Sequence, residues 1–125
     1  MKFNTTYIEP YTNSSTANVM FADPETNPDQ PSVLSFSRPI EPGFEDSAYY
    51  FEINDQSYGS YMGLEFALLT RNSIEIRLEP GIVEKFGEEG FREVRVKFDV
   101  KDDVYKSVLE TLQRIFKGSN VLQVK

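Results

Sequence analysis

Histidine and cysteine are both missing from this sequence. Without histidine, no Ser-His-Asp or Cys-His constellation can form. Proton transfer at neutral pH would fall to a carboxylate, lysine or tyrosine with a strongly shifted pKa. Without cysteine there are no disulfides, no thiolate metal ligands and no thiol nucleophile. The two absences together remove ordinary zinc chemistry. The chain still has 125 residues, enough to bury roughly two thirds of its unfolded surface without staples. One domain over residues 1–125 is therefore expected. Lack of cysteine fits a reducing compartment, and a cytoplasmic location is the expectation. No apolar run of about 18 residues occurs, so no membrane span is expected. Met1 to Thr6 lacks the apolar core of a signal peptide.

Positive charge is scarce in one part of the chain. Residues 1–72 contain only Lys2, Arg38 and Arg71 against ten acidic residues, whereas residues 73–125 hold ten of each sign. The whole net charge of −7 thus belongs to the first part. Such a balance argues against nucleic acid as a partner, because phosphate must be offset by lysine and arginine. It suits a basic partner or simple solubility.

The pattern centres on Tyr49 to Phe66. Tyr49, Phe51 and Ile53 alternate with Tyr50, Glu52 and Asn54, and Leu64, Phe66 and Leu68 alternate with Glu65 and Ala67. This predicts two strands joined by a loop over 55–63, with Gly59 and Gly63 available for positive φ. That loop either covers one end of the core or presents a binding surface in which Tyr58 and Tyr61 give contact area and Glu52, Asp55 and Glu65 give charge. Tyr50 and Tyr58, off the core parity, are the better interface candidates among the tyrosines.

Around this centre, residues 1–16 read as weakly structured, with an edge strand over Thr5 to Glu9, and 17–100 as the sheet region. Strands are expected at Ala17 to Ala22, Ser32 to Arg38, Ile74 to Glu79 and Glu93 to Val100. The prolines at 24, 28 and 31 predict a loop over 23–31. A second acidic loop follows from Pro39 to Asp46, and one helical turn is expected over Pro80 to Gly87. A helix is predicted over 102–117, with Asp102 or Asp103 at its start and Gly118 at its end. Its stripe comprises Val104, Tyr105, Val108, Leu109, Leu112, Ile115 and Phe116. Residues 118–125 read as a tail that includes an edge strand from Val121 to Val124. The fold class is α+β: an antiparallel, meander-rich sheet of five or six strands with the C-terminal helix packed on one face.

Three kinds of chemistry can be weighed on these residues. A glycosidase-type pair would use Glu52 and Glu65, placed on neighbouring strands, and would need two buried carboxylates about 5–10 Å apart. Asp23 to Asp29 offers oxygens for calcium but has prolines and no central glycine. Gly59 to Gly63 is no phosphate loop, since neither a strand-to-helix junction nor a lysine follows it. Neither a cofactor nor a metal is expected.

Tyr50-Phe51-Glu52-Ile53-Asn54-Asp55-Gln56, Gly59, Gly63-Leu64-Glu65, Ile74 to Leu78, Val94 to Phe98 and the helix end Leu112-Gln113-Arg114-Ile115-Phe116 together resemble the immunity protein 10 family. Its members are encoded beside bacterial polymorphic toxins. The resemblance covers roughly residues 17–117, and Met62 stands where the first of two adjacent family glycines would be. It implies a non-enzymatic binder, a monomer or homodimer, that neutralises a cognate toxin by stoichiometric occlusion. Many such toxins are nucleases with basic clefts, which an acidic inhibitor would suit. The candidate contacts are Glu41, Glu45, Asp46, Glu52, Asp55, Tyr58, Tyr61 and Glu65. The alternative is a small-ligand or structural binding module whose 55–63 loop closes over a pocket.

Overall fold

The computed structural model describes residues 1–23 and 31–125. The expected 23–31 loop, with its calcium reading, lies outside the described residues except for Asp23 and Pro31. The fold is α+β. Among the described residues, ten strands form two five-stranded sheets: β1 Lys2–Thr5, β2 Tyr7–Thr12, β3 Thr16–Asp23, β4 Ser32–Pro39, β5 Tyr50–Ile53, β6 Asp55–Tyr61, β7 Leu64–Thr70, β8 Ser73–Leu78, β9 Glu93–Phe98 and β10 Leu122–Val124. Two helices, α1 Pro80–Phe86 and α2 Asp102–Ile115, complete it.

The second sheet, here sheet B, is an antiparallel meander in chain order, β2-β3-β4-β5-β6. Sheet A has the order β1-β9-β8-β7-β10. Its centre is an antiparallel meander, and its two edge strands, β1 and β10, pair in parallel. The meander of the sequence reading is therefore present twice. Residues 1–16, expected to be weakly structured, instead supply one edge strand to each sheet. Short strands such as Lys2–Thr5 have little pattern of their own and are held by a partner far along the chain.

Alternation explains which face each strand buries. Val19 and Phe21, Leu34 and Phe36, Phe51 and Ile53 line the inner face of sheet B. Ile74, Ile76 and Leu78, with Val94, Val96 and Phe98, line that of sheet A. Both faces share one core cluster. Phe21 meets Phe98 across it, ring centroids 5.8 Å apart. The buried Thr5 hydroxyl on β1 donates to the Ala22 carbonyl on β3, tying the sheets where the chain passes between them.

The stripe on α2 settles against β2, β3 and β4 of sheet B, as its spacing requires. Val108, Leu112, Ile115 and Phe116 are buried, while Val104, Tyr105 and Leu109 are half-buried. The Phe116 ring sits 5.5 Å from Phe36 and 4.8 Å from Tyr49. Lys101, not an aspartate, occupies the N-cap, and no side chain caps the first turn. Asp102 and Asp103 lie in that turn, where they suit the helix dipole. Gly118 takes φ +84°, and Gly87 ends α1 at φ +66°. Among the described residues no helix is long and apolar enough to cross a membrane.

The largest departure from the sequence reading is at the centre. Residues 55–61 are strand β6, paired with β5, so 55–63 is not a loop. The pair expected to form a hairpin, β5 and β7, lies in different sheets. The chain turns at Asn54, φ +66°, whose amide side chain accepts the Val33 N–H while its own N–H donates to the Val33 carbonyl. It leaves sheet B only at Met62-Gly63.

Leu112 is fully buried where the helix meets sheet B. Leu112→Ala should lower unfolding free energy by about 2–5 kcal/mol, measured by urea denaturation. A loss much below this range would mean that the helix is not held by its stripe.

Candidate functional site

The registers of sheet B place its solvent-facing residues in rows. One row runs Tyr11, Asn18, Ser37, Tyr50, Tyr61, and the next runs Glu9, Met20, Ser35, Glu52, Gly59. Gly59 is a packing necessity, because a Cβ there would meet the Tyr50 hydroxyl at 2.0 Å. The Tyr50 side chain therefore covers Gly59. Its hydroxyl donates to Glu52 Oε1 at 2.8 Å, and its ring contacts Tyr61 at 4.9 Å. Desolvation first, then this hydrogen bond and the Glu52 charge, push the Tyr50 phenol up to about 12.

The loop between β4 and β5 continues this surface at the end where β6 finishes. Arg38 organises it. Its guanidinium donates to the Glu45 carbonyl at 3.0 Å and to the Ile115 and Lys117 carbonyls at the end of α2. Its charge thus goes to main-chain oxygens and not to the loop carboxylates. Both Glu45 carboxylate oxygens accept from the Gly43 N–H at 3.1 Å. Hydrogen bonds from its own backbone N–H and that of Gly43 hold the Glu45 carboxyl below the usual range, so it stays charged. Phe44, Met62 and Tyr61, exposed by 48, 56 and 72%, lie among these acids. A groove of about 660 Å³ at the loop is lined by Glu41, Glu45 and Asp46 together with Arg114 and Lys117.

The expected contacts divide as follows. Glu41, Glu45 and Asp46 share the loop. Glu52 and Tyr61 lie on the outer face of sheet B. Asp55 is exposed at the start of β6, where its carboxylate accepts the Ser57 N–H at 2.8 Å. Tyr58 does not join them: its ring points inward, 5.8 Å from Phe86 and 4.8 Å from Phe91. Tyr58 and Tyr61 therefore face opposite sides of β6 and line no common pocket. Glu65 is exposed on β7 of sheet A, at the register shift between Leu64 and Phe66, whereas Glu52 lies on β5 of sheet B, so the two are not on neighbouring strands. The paired-carboxylate arrangement needed for glycoside hydrolysis is not formed by these two residues. Among the described residues no three carboxylates converge to hold a metal ion.

Sequence reasoning missed Tyr7, Glu9 and Tyr11, which β2 sets on the outer face, and it missed Arg38. The alternation of Tyr7, Glu9 and Tyr11 with Ile8 was the available signal. For Arg38 there was none, since its acceptors lie on the loop and at the far end of α2.

Charge separates the two outer surfaces. On sheet A, Arg77 pairs with Glu93 at 2.6 Å and Arg95 with Glu75 at 3.0 Å. From Pro39 to Thr70 there is no lysine or arginine. Among the described residues, none of Glu41, Glu45, Asp46, Glu52, Asp55 and Glu65 belongs to an ion pair. Arg38 is the one cation in β2 to β6, and it reaches inward to α2.

The neutral Tyr50 phenol is favoured in the folded state, so its contribution is complete below pH 10 and is lost as pH rises through about 12. In tyrosinate absorbance titrations, Glu52→Gln should lower the Tyr50 midpoint toward 10. An unmoved midpoint would mean that the hydrogen bond does not hold the proton. Met62 is a non-glycine residue at φ +63°, a conformation costing roughly 1–2 kcal/mol. Met62→Gly should therefore raise stability by about 1 kcal/mol in denaturant unfolding. Gly63→Ala should lower it, because Gly63 has φ +99° and a Cβ would meet Ile82 at 2.5 Å.

Comparison of this chain with family models, with curated proteins and with solved structures finds no match in any of the three.

Proposed function

We propose that this protein is a non-catalytic immunity protein. It binds a basic toxin domain in stoichiometric complex through the outer face of sheet B and the acidic β4–β5 loop. The observation that carries this reading is the uneven pairing of charge. Sheet A carries the cross-strand ion pairs Arg77–Glu93 and Arg95–Glu75, whereas among the described residues Glu41, Glu45, Asp46, Glu52 and Asp55 belong to no ion pair. Unpaired carboxylates on a stable sheet steer a cationic partner and speed its encounter. Tyr11, Tyr50 and Tyr61 add stiff aromatic area at low entropic cost, the chemistry favoured at protein contacts. Phe44 and Met62 add exposed apolar contact beside those charges. The toxin class follows from the resemblance to the immunity protein 10 family, and a nuclease with a basic cleft is the partner that this charge fits best.

The test reads the neighbouring genes for a large secreted protein with a variable C-terminal domain and mixes the protein with that domain. A one-to-one complex and restored growth of cells producing that domain are expected. Double reversal of Glu45 and Asp46 to lysine should slow association by about tenfold and flatten its salt dependence, read by stopped flow. Unchanged kinetics would remove the loop from the interface. Failure to form any complex would overturn the reading.

A further inference from the structure

Each sheet has two edges, and a sheet edge offers unpaired N–H and C=O groups to any extended chain. Three of the four edges are short or blocked. β1 has four residues and β10 three. β2 carries Pro10 opposite Val19, which cannot donate to a further strand. The fourth, β6, runs seven residues from Asp55 to Tyr61 with no proline, lysine or arginine. Asp55 and the register shift against β5, where Ile53 faces Asp55 and Glu52 faces Gly59, break the edge at its start and leave Gly59 to Tyr61 in regular pairing.

The hydrogen-bond phase of β6 is set by β5. The Met62 N–H donates to the Tyr49 carbonyl at 3.0 Å, and Phe51 stands opposite Ser60. In an antiparallel ladder the bonded pairs alternate with non-bonded ones. Ser60 and Met62 therefore turn their backbone groups toward β5, while Gly59 and Tyr61 turn theirs away. The Tyr61 carbonyl receives a 3.3 Å bond from the Ser60 hydroxyl. Tyr61 is 72% exposed, and among the described residues no strand pairs with β6 on the side away from β5.

We propose that the free edge of β6 is a strand-docking site, where an extended, lysine- or arginine-bearing segment of the partner pairs with Gly59 and Tyr61 as a sixth strand of sheet B. The proposal rests on the binding function above and names the element that docks. Charge complementarity selects this occupant. Asp55 lies on the strand, Glu52 on the next one, and no cation occurs from Pro39 to Thr70. A second copy of the chain would bring like charges together. Geometry adds a preference. Gly59 has no side chain, and the Tyr50 hydroxyl lies over it while donating to Glu52. Strands are about 4.8 Å apart, so a lysine beside Gly59 on the outer face can extend over it to the Tyr50 oxygen and the Glu52 carboxylate. Backbone pairing supplies affinity, and this slot supplies selection.

The probe is a synthetic peptide of alternating lysine and threonine. Its controls are a twin with glutamate for lysine and a twin N-methylated on the amides that face the edge. Amide exchange is followed by nuclear magnetic resonance on the intact protein. The lysine peptide should slow exchange at Gly59 and Tyr61 by at least about tenfold, and neither control should. Tyr61→Pro removes an N–H that is not part of the β5 ladder and should abolish the effect at Gly59. Tyr61→Ala, which keeps the backbone, should retain it. Equal effects of the methylated and unmethylated lysine peptides would overturn edge docking, as would exchange unaltered at Gly59 and Tyr61. The acidic-face reading would then rest separately on the charge-reversal kinetics. Concentration-dependent protection of the same amides without peptide would assign the edge to a second copy and overturn the proposal as well.

Discussion

Two consecutive left-handed residues carry the chain from one sheet to the other. Met62 and Gly63 take φ +63° and +99°. The Gly63 carbonyl accepts the Glu79 N–H at 2.8 Å, and Ile82 packs where a Gly63 side chain would project. This corner starts sheet A's central meander after sheet B is complete. It leaves β6 as an edge strand, not the first half of a hairpin with β7. Glycine meets the steric demand at position 63 without cost, while methionine at 62 is strained and exposed. Such strain is held in place by the ladders on either side.

The same division into sheets sorts the charge. The C-terminal part of the chain, balanced in sign, builds most of sheet A and places Arg77 and Arg95 across from Glu93 and Glu75. Surface pairs of this kind add little stability, but they set charges of opposite sign side by side on that sheet. The N-terminal part builds sheet B, and its one strand cation, Arg38, is consumed by the carbonyls at the end of α2 and at Glu45. Loop order and negative potential therefore have one origin. Arginine satisfies the helix terminus and the loop backbone at once, and it forms no ion pair with the loop carboxylates.

Much of the secondary structure was legible because it depends on short-range pattern. Ile74-Glu75-Ile76-Arg77-Leu78 alternates without exception, and the strand there is unambiguous. The α2 stripe at helical spacing identified both the helix and its buried face. Gly87 and Gly118 marked helix ends by the backbone conformation they allow. Less was legible in β1, β2 and β6. Asp55 to Tyr61 is polar and glycine-bearing, and it is a strand because β5 offers it a ladder. The candidate contacts fared by the same rule. Glu41, Glu45 and Asp46 were adjacent in sequence and stayed adjacent in space. Tyr58 and Glu65 were displaced because the parity of β6 and the sheet of β7 were set elsewhere.

Composition and periodicity alone determined the α+β class, the C-terminal helix and its inward stripe, the absence of imidazole and thiol chemistry, and the concentration of negative charge before residue 73. These depend on residue type and on spacings of two or 3.6, which any short window contains. Only the tertiary structure decided that there are two sheets, that Glu52 and Glu65 belong to different ones, that Tyr58 is packed inward, and that β6 ends the order of sheet B. Strand pairing joins residues distant in sequence, as Lys2 joins Arg95 and Leu122 joins Ala67, and alternation records which face a residue takes but not which strand will lie beside it.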